Sequence, residues 1–186
     1  MDFPGIKTER LELRALGFEY QDDIFEIFSN KDVVRYYDLE AFSNIKQSAQ
    51  LIALFKQRYD SSSGIRWAIT LKDSNKCIGT CGFNSWSVPM RSGNIGYDLN
   101  NNYWGQGIMT EAVSAVLKRV YSGSLRCGEL NRIQADTIPG NIASEKVLLK
   151  LGFKEEGIRR QSGYWKGRYH DLKCYSLLRD EFISEE

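Results

Sequence analysis

Between Tyr103 and Ala112 the chain reads YWGQGIMTEA, with Gly105 and Gly107 directly before an apolar run of helical spacing. Glycine inside a helix costs about 1 kcal/mol relative to alanine, so the pair calls for an offsetting role. A glycine turn that opens a helix leaves backbone N–H groups unpaired and aimed at one point, where the helix dipole also favours negative charge. Such a turn suits a phosphate, and Thr110 in the first helical turn would add a hydroxyl donor. The plainer alternative is a tight turn before a core helix. Standard nucleotide motifs do not fit: GQGIMT lacks the Gly-Lys-Ser/Thr ending of a P-loop, and no third glycine completes GxGxxG. A second polar group opens NIASEKVLL, where Asn141 is suited to cap a helix and Ser144 follows within its first turn.

Metal chemistry is disfavoured. Cys77, Cys81, Cys127 and Cys174 form no CxxC pair, and His170 is the single histidine. Cys77 and Cys81 fall four apart in an expected strand, sharing a face but too far apart to bridge each other. A reducing cytoplasm is the simpler reading.

The elements around these residues follow from periodicity. Leu11, Leu13 and Ala15 alternate with charges as a half-buried strand does. Ile24, Phe25 and Phe28 are spaced as a helix, and Ile45, Ala49, Ile52, Phe55 and Tyr59 as a second, with Ser43 the expected cap. Ile65, Trp67, Ile69 and Leu71 alternate through IRWAITLK. KDSNK then supplies a turn, CIGTCGFNSW a partner strand, VPMRSG another turn and NIGYDL a third strand. After the glycine turn a helix carries the stripe Ala112, Val113, Val116, Leu117 and Val120. NRIQADT reads as a strand, and NIASEKVLLKLGF as a helix stopped at Gly152. A short strand at 153–157 and a last strand near 171–178 complete the order. The order predicts a mixed sheet with helices packed against it.

Length and composition bound the function. The chain has 186 residues, 42% hydrophobic and 26% charged, which fits one soluble globular domain over 1–186. With 25 Lys and Arg against 24 Asp and Glu, it lacks the basic footprint of a nucleic-acid or acidic-membrane binder. The N-terminal stretch has no uninterrupted apolar segment of the kind secretion needs, and no run approaches membrane-spanning length.

RLELRA, IGYDLNNNYWGQGIMTEA, NRIQADTIPGNIASEKVLLKLGFKEEGIRR and GRYHDLKCYSLLRDEF together resemble the GNAT superfamily of acetyl-CoA-dependent N-acetyltransferases. More narrowly, they resemble its RimJ/RimL branch of ribosomal-protein N-terminal acetyltransferases, and the resemblance spans residues 8–182. The family pattern at the helix start is Arg or Gln, two residues, Gly, one residue, then Gly or Ala. This chain places Trp104, Gly107 and Met109 at those positions, and Trp followed by GQG and TEA is typical of the RimJ/RimL branch. The implied fold is α/β (α+β): a mixed, mostly antiparallel sheet of about six or seven strands with helices on both faces. The sheet is expected to splay between the strand 93–99 and the strand 131–137. The resemblance implies that the amides of Gly105, Gln106, Gly107, Ile108, Met109 and Thr110, beside Trp104, cradle the coenzyme pyrophosphate. It also implies that Tyr97, Asp98 and Leu99 pair through their backbone with the pantetheine arm and acetyl carbonyl, as an extended ligand added at a sheet edge. Asn141 is assigned to the coenzyme, alone or together with a capping role. No metal is implied.

Acetyl transfer from a thioester needs a neutral amine, a stabilised oxyanion and a proton for the departing thiolate. Many relatives use a tyrosine as the acid where this chain has Leu148; Ser144, one turn earlier on the same face, matches the branch in which a serine takes that role. Ser144 is therefore expected at both the coenzyme and the chemistry. Relatives often carry a glutamate base where this chain has Asn94, which leaves Asp98 or a water route. His170 beside Asp171 is expected to be structural. An α-amine with pKa about 7.7 to 8.0 needs about 1 kcal/mol to deprotonate at pH 7, and lysine at about 10.4 needs about 4.6. A weak base therefore suits an α-amine. The leading expectation is an acetyltransferase of a protein N-terminus, ribosomal or other; small-molecule amines and a non-catalytic acetyl-CoA module are the alternatives. Tyr36, Tyr37, Trp86 and Trp165 are candidate walls of the acceptor pocket, or else packing. Monomer and homodimer both stay open.

Overall fold

The computed structural model describes residues 3–182. Two strands open the chain, β1 (Ile6–Lys7) and β2 (Leu11–Ala15), followed by helices α1 (Gln21–Ser29) and α2 (Ile45–Asp60). A meander of β3 (Ile65–Leu71), β4 (Cys77–Ser87) and β5 (Ser92–Leu99) leads into α3 (Ile108–Tyr121). The chain then runs through β6 (Arg132–Thr137) and α4 (Ile142–Lys150) into the hairpin β7 (Lys154–Trp165) and β8 (Arg168–Leu178). The strands form one sheet in the order β1-β2-β3-β4-β5-β6-β8-β7. Every neighbouring pair is antiparallel except β5 and β6, which are parallel because α3 carries the chain across between them.

Both faces of the sheet are covered. On one, Leu11, Leu13, Trp67, Ile69, Phe83 and Ile95 pack beneath α3, whose stripe Ala112, Val113, Val116, Leu117 and Val120 is fully buried. Burying each Val or Leu contributes about 1.5–3 kcal/mol, so the stripe fixes α3 and with it the turn at its start. On the other face Ile24, Ile27 and Phe28 of α1 and Ile52 and Phe55 of α2 close over Ala68 and Cys77.

Several local expectations are corrected. The sheet has eight strands, because the two-residue β1 joins its edge. The C-terminal strands are much longer than 153–157 and 171–178, and RQSGYWKGR is the end and tip of a hairpin. Asn44, not Ser43, caps α2: its side chain accepts from the Lys46 amide while Gln47 reaches back to the Asn44 amide. Cys77 and Cys81 lie on opposite faces, because the β3–β4 register slips between Ile69 opposite Gly79 and Thr70 opposite Cys77.

The irregularity that matters most is at β5 and β6. They pair only at Ser92 to Asn94 opposite Arg132 to Gln134. Beyond that point they diverge as expected, and the outer edge of Ile95 to Leu99 has no strand partner among the described residues.

Candidate active site

The two glycines are not inside the helix. α3 begins at Ile108, and Gly105 (φ 74°) and Gly107 (φ 75°) hold left-handed conformations before it, where a side chain would cost about 1–2 kcal/mol. Gly107 is the N-cap and no side chain caps the helix. The first bond to close is the Glu111 amide to the Gly107 carbonyl, 3.1 Å, so the amides of Ile108, Met109 and Thr110 point out of the helix end. A Cβ at Gly105 would meet nothing within 4 Å, so the turn is open to a ligand's close approach. Its residues fit a pyrophosphate: exposed glycines, orphan amides, and the buried Ile108 and Met109 side chains turned inward as anchors.

Arg10 completes this turn, a role the sequence reading left unassigned. Its Nη1 donates to the Gln106 carbonyl at 3.0 Å and its Nε to Glu111 at 2.6 Å. Glu111 also accepts from the Thr8 hydroxyl and the Arg10 amide. Against its partial burial, these donors hold the Glu111 carboxyl below its ordinary range. The Trp104 indole donates to the Leu99 carbonyl at 2.8 Å, and the Gln106 side chain to the Asn102 carbonyl at 3.1 Å. Trp104 and Gln106 thus brace the turn against the end of β5 with their side chains.

Across the splay, α4 faces β5. Asn141 caps α4, its side chain accepting from the Ser144 amide at 3.4 Å. Leu148 is fully buried, and Ser144 one turn earlier is half-buried at the gap. The Tyr97 hydroxyl lies 2.8 Å from Ser144 Oγ and donates to the Ser144 carbonyl at 3.2 Å. The sequence offered Tyr97 only for its backbone; its phenol instead joins the two diverging halves of the sheet. Burial pushes the Tyr97 phenol up, with the Ser144 bond opposing, so Tyr97 is a neutral O–H at physiological pH. The pair lies beside the β5 edge.

Adjacent strand residues point to opposite faces, so Asp98 faces α1 and α2. It is 6% exposed and accepts from the Thr80 hydroxyl at 2.6 Å, the Thr80 amide at 3.1 Å and the Tyr37 hydroxyl at 3.3 Å. Arg66, also buried, reaches over the directly paired Gly82 and Gly96 to donate to the Gly96 carbonyl and to Asn84 Oδ1. The Arg66 guanidinium lies 4.5 Å from the Phe55 ring centroid. Burial raises the Asp98 carboxyl, and the Arg66 charge and the Thr80 and Tyr37 donors oppose it.

Three of the four candidate aromatics gather here. The Tyr36 hydroxyl donates to the Gly140 carbonyl at 3.0 Å, and Lys166 at the β7–β8 tip donates to the Val34 carbonyl at 2.7 Å. Trp165 stacks on His170 at 4.3 Å, and His170 is buried with Nε2 3.1 Å from the Trp165 carbonyl. Trp86 stands apart: its indole donates to the Ser62 carbonyl and it lies opposite Gly93, at the far end of β5. Asn94 shares the Asp98 face of β5 but pairs near the closed end, opposite Ser85.

Comparison with known proteins identifies the family. The profile of the family described as "Acetyltransferase (GNAT) domain" matches residues 10–154. The uncharacterized N-acetyltransferase YoaA of Bacillus subtilis (strain 168) is 37% identical over 177 residues, covering 95% of this chain and 98% of its own. The ribosomal-protein-serine acetyltransferase of Escherichia coli (strain K12) is 31% identical over 179 residues, covering 93% of this chain and 95% of its own. Among solved structures, the Salmonella typhimurium acetyltransferase that modifies the N-terminal serine of ribosomal protein L7/L12 superposes with a TM-score of 0.82 at 22% identity. That superposition covers 94% of this chain and 99% of the other. The chain belongs to the GNAT family and is an N-acetyltransferase.

Proposed function

We propose that the protein moves the acetyl group of acetyl-CoA to the N-terminal α-amine of a protein, by direct attack in a ternary complex. The amides of Gly105 to Thr110 take the pyrophosphate, with Arg10 adding positive charge beside it. The pantetheine arm lies along the unpartnered edge of Tyr97, Asp98 and Leu99, and Asn141 contributes its remaining amide donors from the start of α4. Ser144 protonates the departing thiolate, and Tyr97 holds its hydroxyl and resupplies the proton. The observation that carries the reading is the Tyr97–Ser144 bond, 2.8 Å across the gap where β5 and β6 part.

For the acceptor, the support is the 31% identity to a ribosomal-protein-serine acetyltransferase along nearly the whole chain. An α-amine also needs about 1 kcal/mol to deprotonate at pH 7, which matches a site with Asn94 and no glutamate at that position. The test is release of coenzyme A with Ser- and Ala-initiated peptides and, separately, with polyamines and free amino acids. Release with the peptides supports the reading. Release only with small amines moves the function to those substrates, and tight acetyl-CoA binding with no release for any amine overturns it.

A further inference from the structure

Resting on that reading, we propose that Tyr37 accepts the proton lost by the attacking nitrogen and passes its own hydroxyl proton to Asp98. Residues 97 and 98 of β5 point to opposite faces, and the proton donors Tyr97 and Ser144 occupy the α4 face. Among the described residues, the side chains that hydrogen-bond Asp98 on the other face are those of Thr80 and Tyr37. Thr80 is fully buried, whereas Tyr37 is half-buried, so Tyr37 is the one that can also meet a ligand. Its phenol donates to Asp98 and keeps a lone pair free to accept.

Chain placement supports the same role. Tyr36 and Tyr37 are consecutive, yet they fasten to opposite sides of the gap, Tyr36 to the Gly140 carbonyl before α4 and Tyr37 to Asp98 on β5. Their segment therefore crosses the splay on the face away from Ser144, where an amine attacking an acetyl group at the β5 edge must arrive. Gly82 opposite Gly96 leaves the floor beside Asp98 to the side chains of Arg66 and Asn84. The Arg66 guanidinium keeps a Nε without a partner among the described residues, and its positive charge opposes the burial that raises the Asp98 carboxyl.

The step balances. One N–H bond breaks as the nitrogen bonds to the acetyl carbon; that proton goes to Tyr37 Oη, and the Tyr37 proton goes to Asp98 Oδ2. The C–S bond breaks and the sulfur takes the Ser144 proton, which Tyr97 replaces. Solvent restores both ends after products leave. The titratable and charged groups that face the relay are Arg66 from β3, Cys77 from β4, Asp23 and Glu26 from α1, Arg58 from α2, and Asp38 beside Tyr37.

The test is Tyr37→Phe and Asp98→Asn, each measured for acetyl-CoA affinity and for kcat and KM against pH with a Ser-initiated peptide. Both are expected to lower kcat about 10²-fold with acetyl-CoA affinity kept. The acidic limb of their pH profile should move up to the pKa of the peptide amine itself. An acceptor amine of low pKa, already neutral at pH 7, should recover most of the loss. If Asp98→Asn does not fold, Tyr37→Phe carries the test, since it keeps the ring that packs at 5.5 Å on Phe28. Wild-type kcat and pH profile in Tyr37→Phe, or a loss equal at every pH and for every amine, overturns the proposal. A wild-type protein that turns over no peptide overturns instead the reading on which it rests.

Discussion

Ser144 and Tyr97 come from elements with no hydrogen-bonded contact at that level of the sheet, and their side chains supply the contact that the backbone lacks. Ser144→Ala is expected to lower kcat by about 10²-fold while acetyl-CoA affinity, measured by calorimetry, stays unchanged; unaltered turnover would sink the acid assignment. Tyr97→Phe removes one net hydrogen bond of about 1 kcal/mol, so a fall of roughly 2- to 10-fold in kcat is expected, read in single-turnover kinetics. At this scale much was legible in the sequence. Ser144, Asn141 and the glycine turn stand in contiguous motifs, and motif neighbours stay neighbours in the fold. Arg10, Thr80 and the side-chain roles of Tyr37 and Tyr97 were not legible, because each depends on register or on residues about 20 to 100 positions away. Cys77 and Cys81 misled for the same reason: a one-residue bulge reverses a face, and spacing alone does not reveal it.

Among the elements, α3 and the C-terminal hairpin do the positioning. Gly107→Ala would place a Cβ 3.6 Å from Arg10 Nη2, an ordinary contact, so the cost is left-handed backbone strain of about 1–2 kcal/mol. Shifting the turn relieves that strain but misaims the amides, so acetyl-CoA affinity should weaken about 10-fold, more than the melting temperature suggests. The hairpin is joined to β6 by Glu156, which takes two hydrogen bonds from the Arg132 guanidinium and one from the Ser176 hydroxyl at 2.8 Å. The Arg132 guanidinium, then Ser176, lower the Glu156 carboxyl from 4.5 to about 2. A depressed carboxyl contributes stability that is present above its unfolded value and lost as pH falls through the folded one. Thermal melts should therefore show an acid loss between about pH 4.5 and 2 that Glu156→Gln flattens. The sequence marked where most of these elements begin. It missed the full reach of β7 and β8 because RQSGYWKGR, with Gly163 and Gly167, reads as loop, whereas long pairing between two solvent-rich strands overrides that signal.

In the whole molecule, a sheet held at its centre by only three residue pairs leaves a slot. Tyr36, Tyr97 and Lys166 carry hydrogen bonds across it. A ligand laid along β5 adds backbone bonds and joins both halves, so acetyl-CoA should stabilise the fold by about 2.7 kcal/mol at a hundred times its Kd. Thermal shift and slowed amide exchange at Ile95 to Leu99 would report it. The splay was legible only through family resemblance, since two strands that part look like any others in sequence. The destination of the acetyl group tests the proposed function most directly. A peptide with a free N-terminal serine and an internal lysine, incubated with the protein and acetyl-CoA and fragmented by mass spectrometry, is predicted to carry one acetyl group on the N-terminal nitrogen. Acetylation of the lysine side chain, or an unmodified peptide, would contradict it.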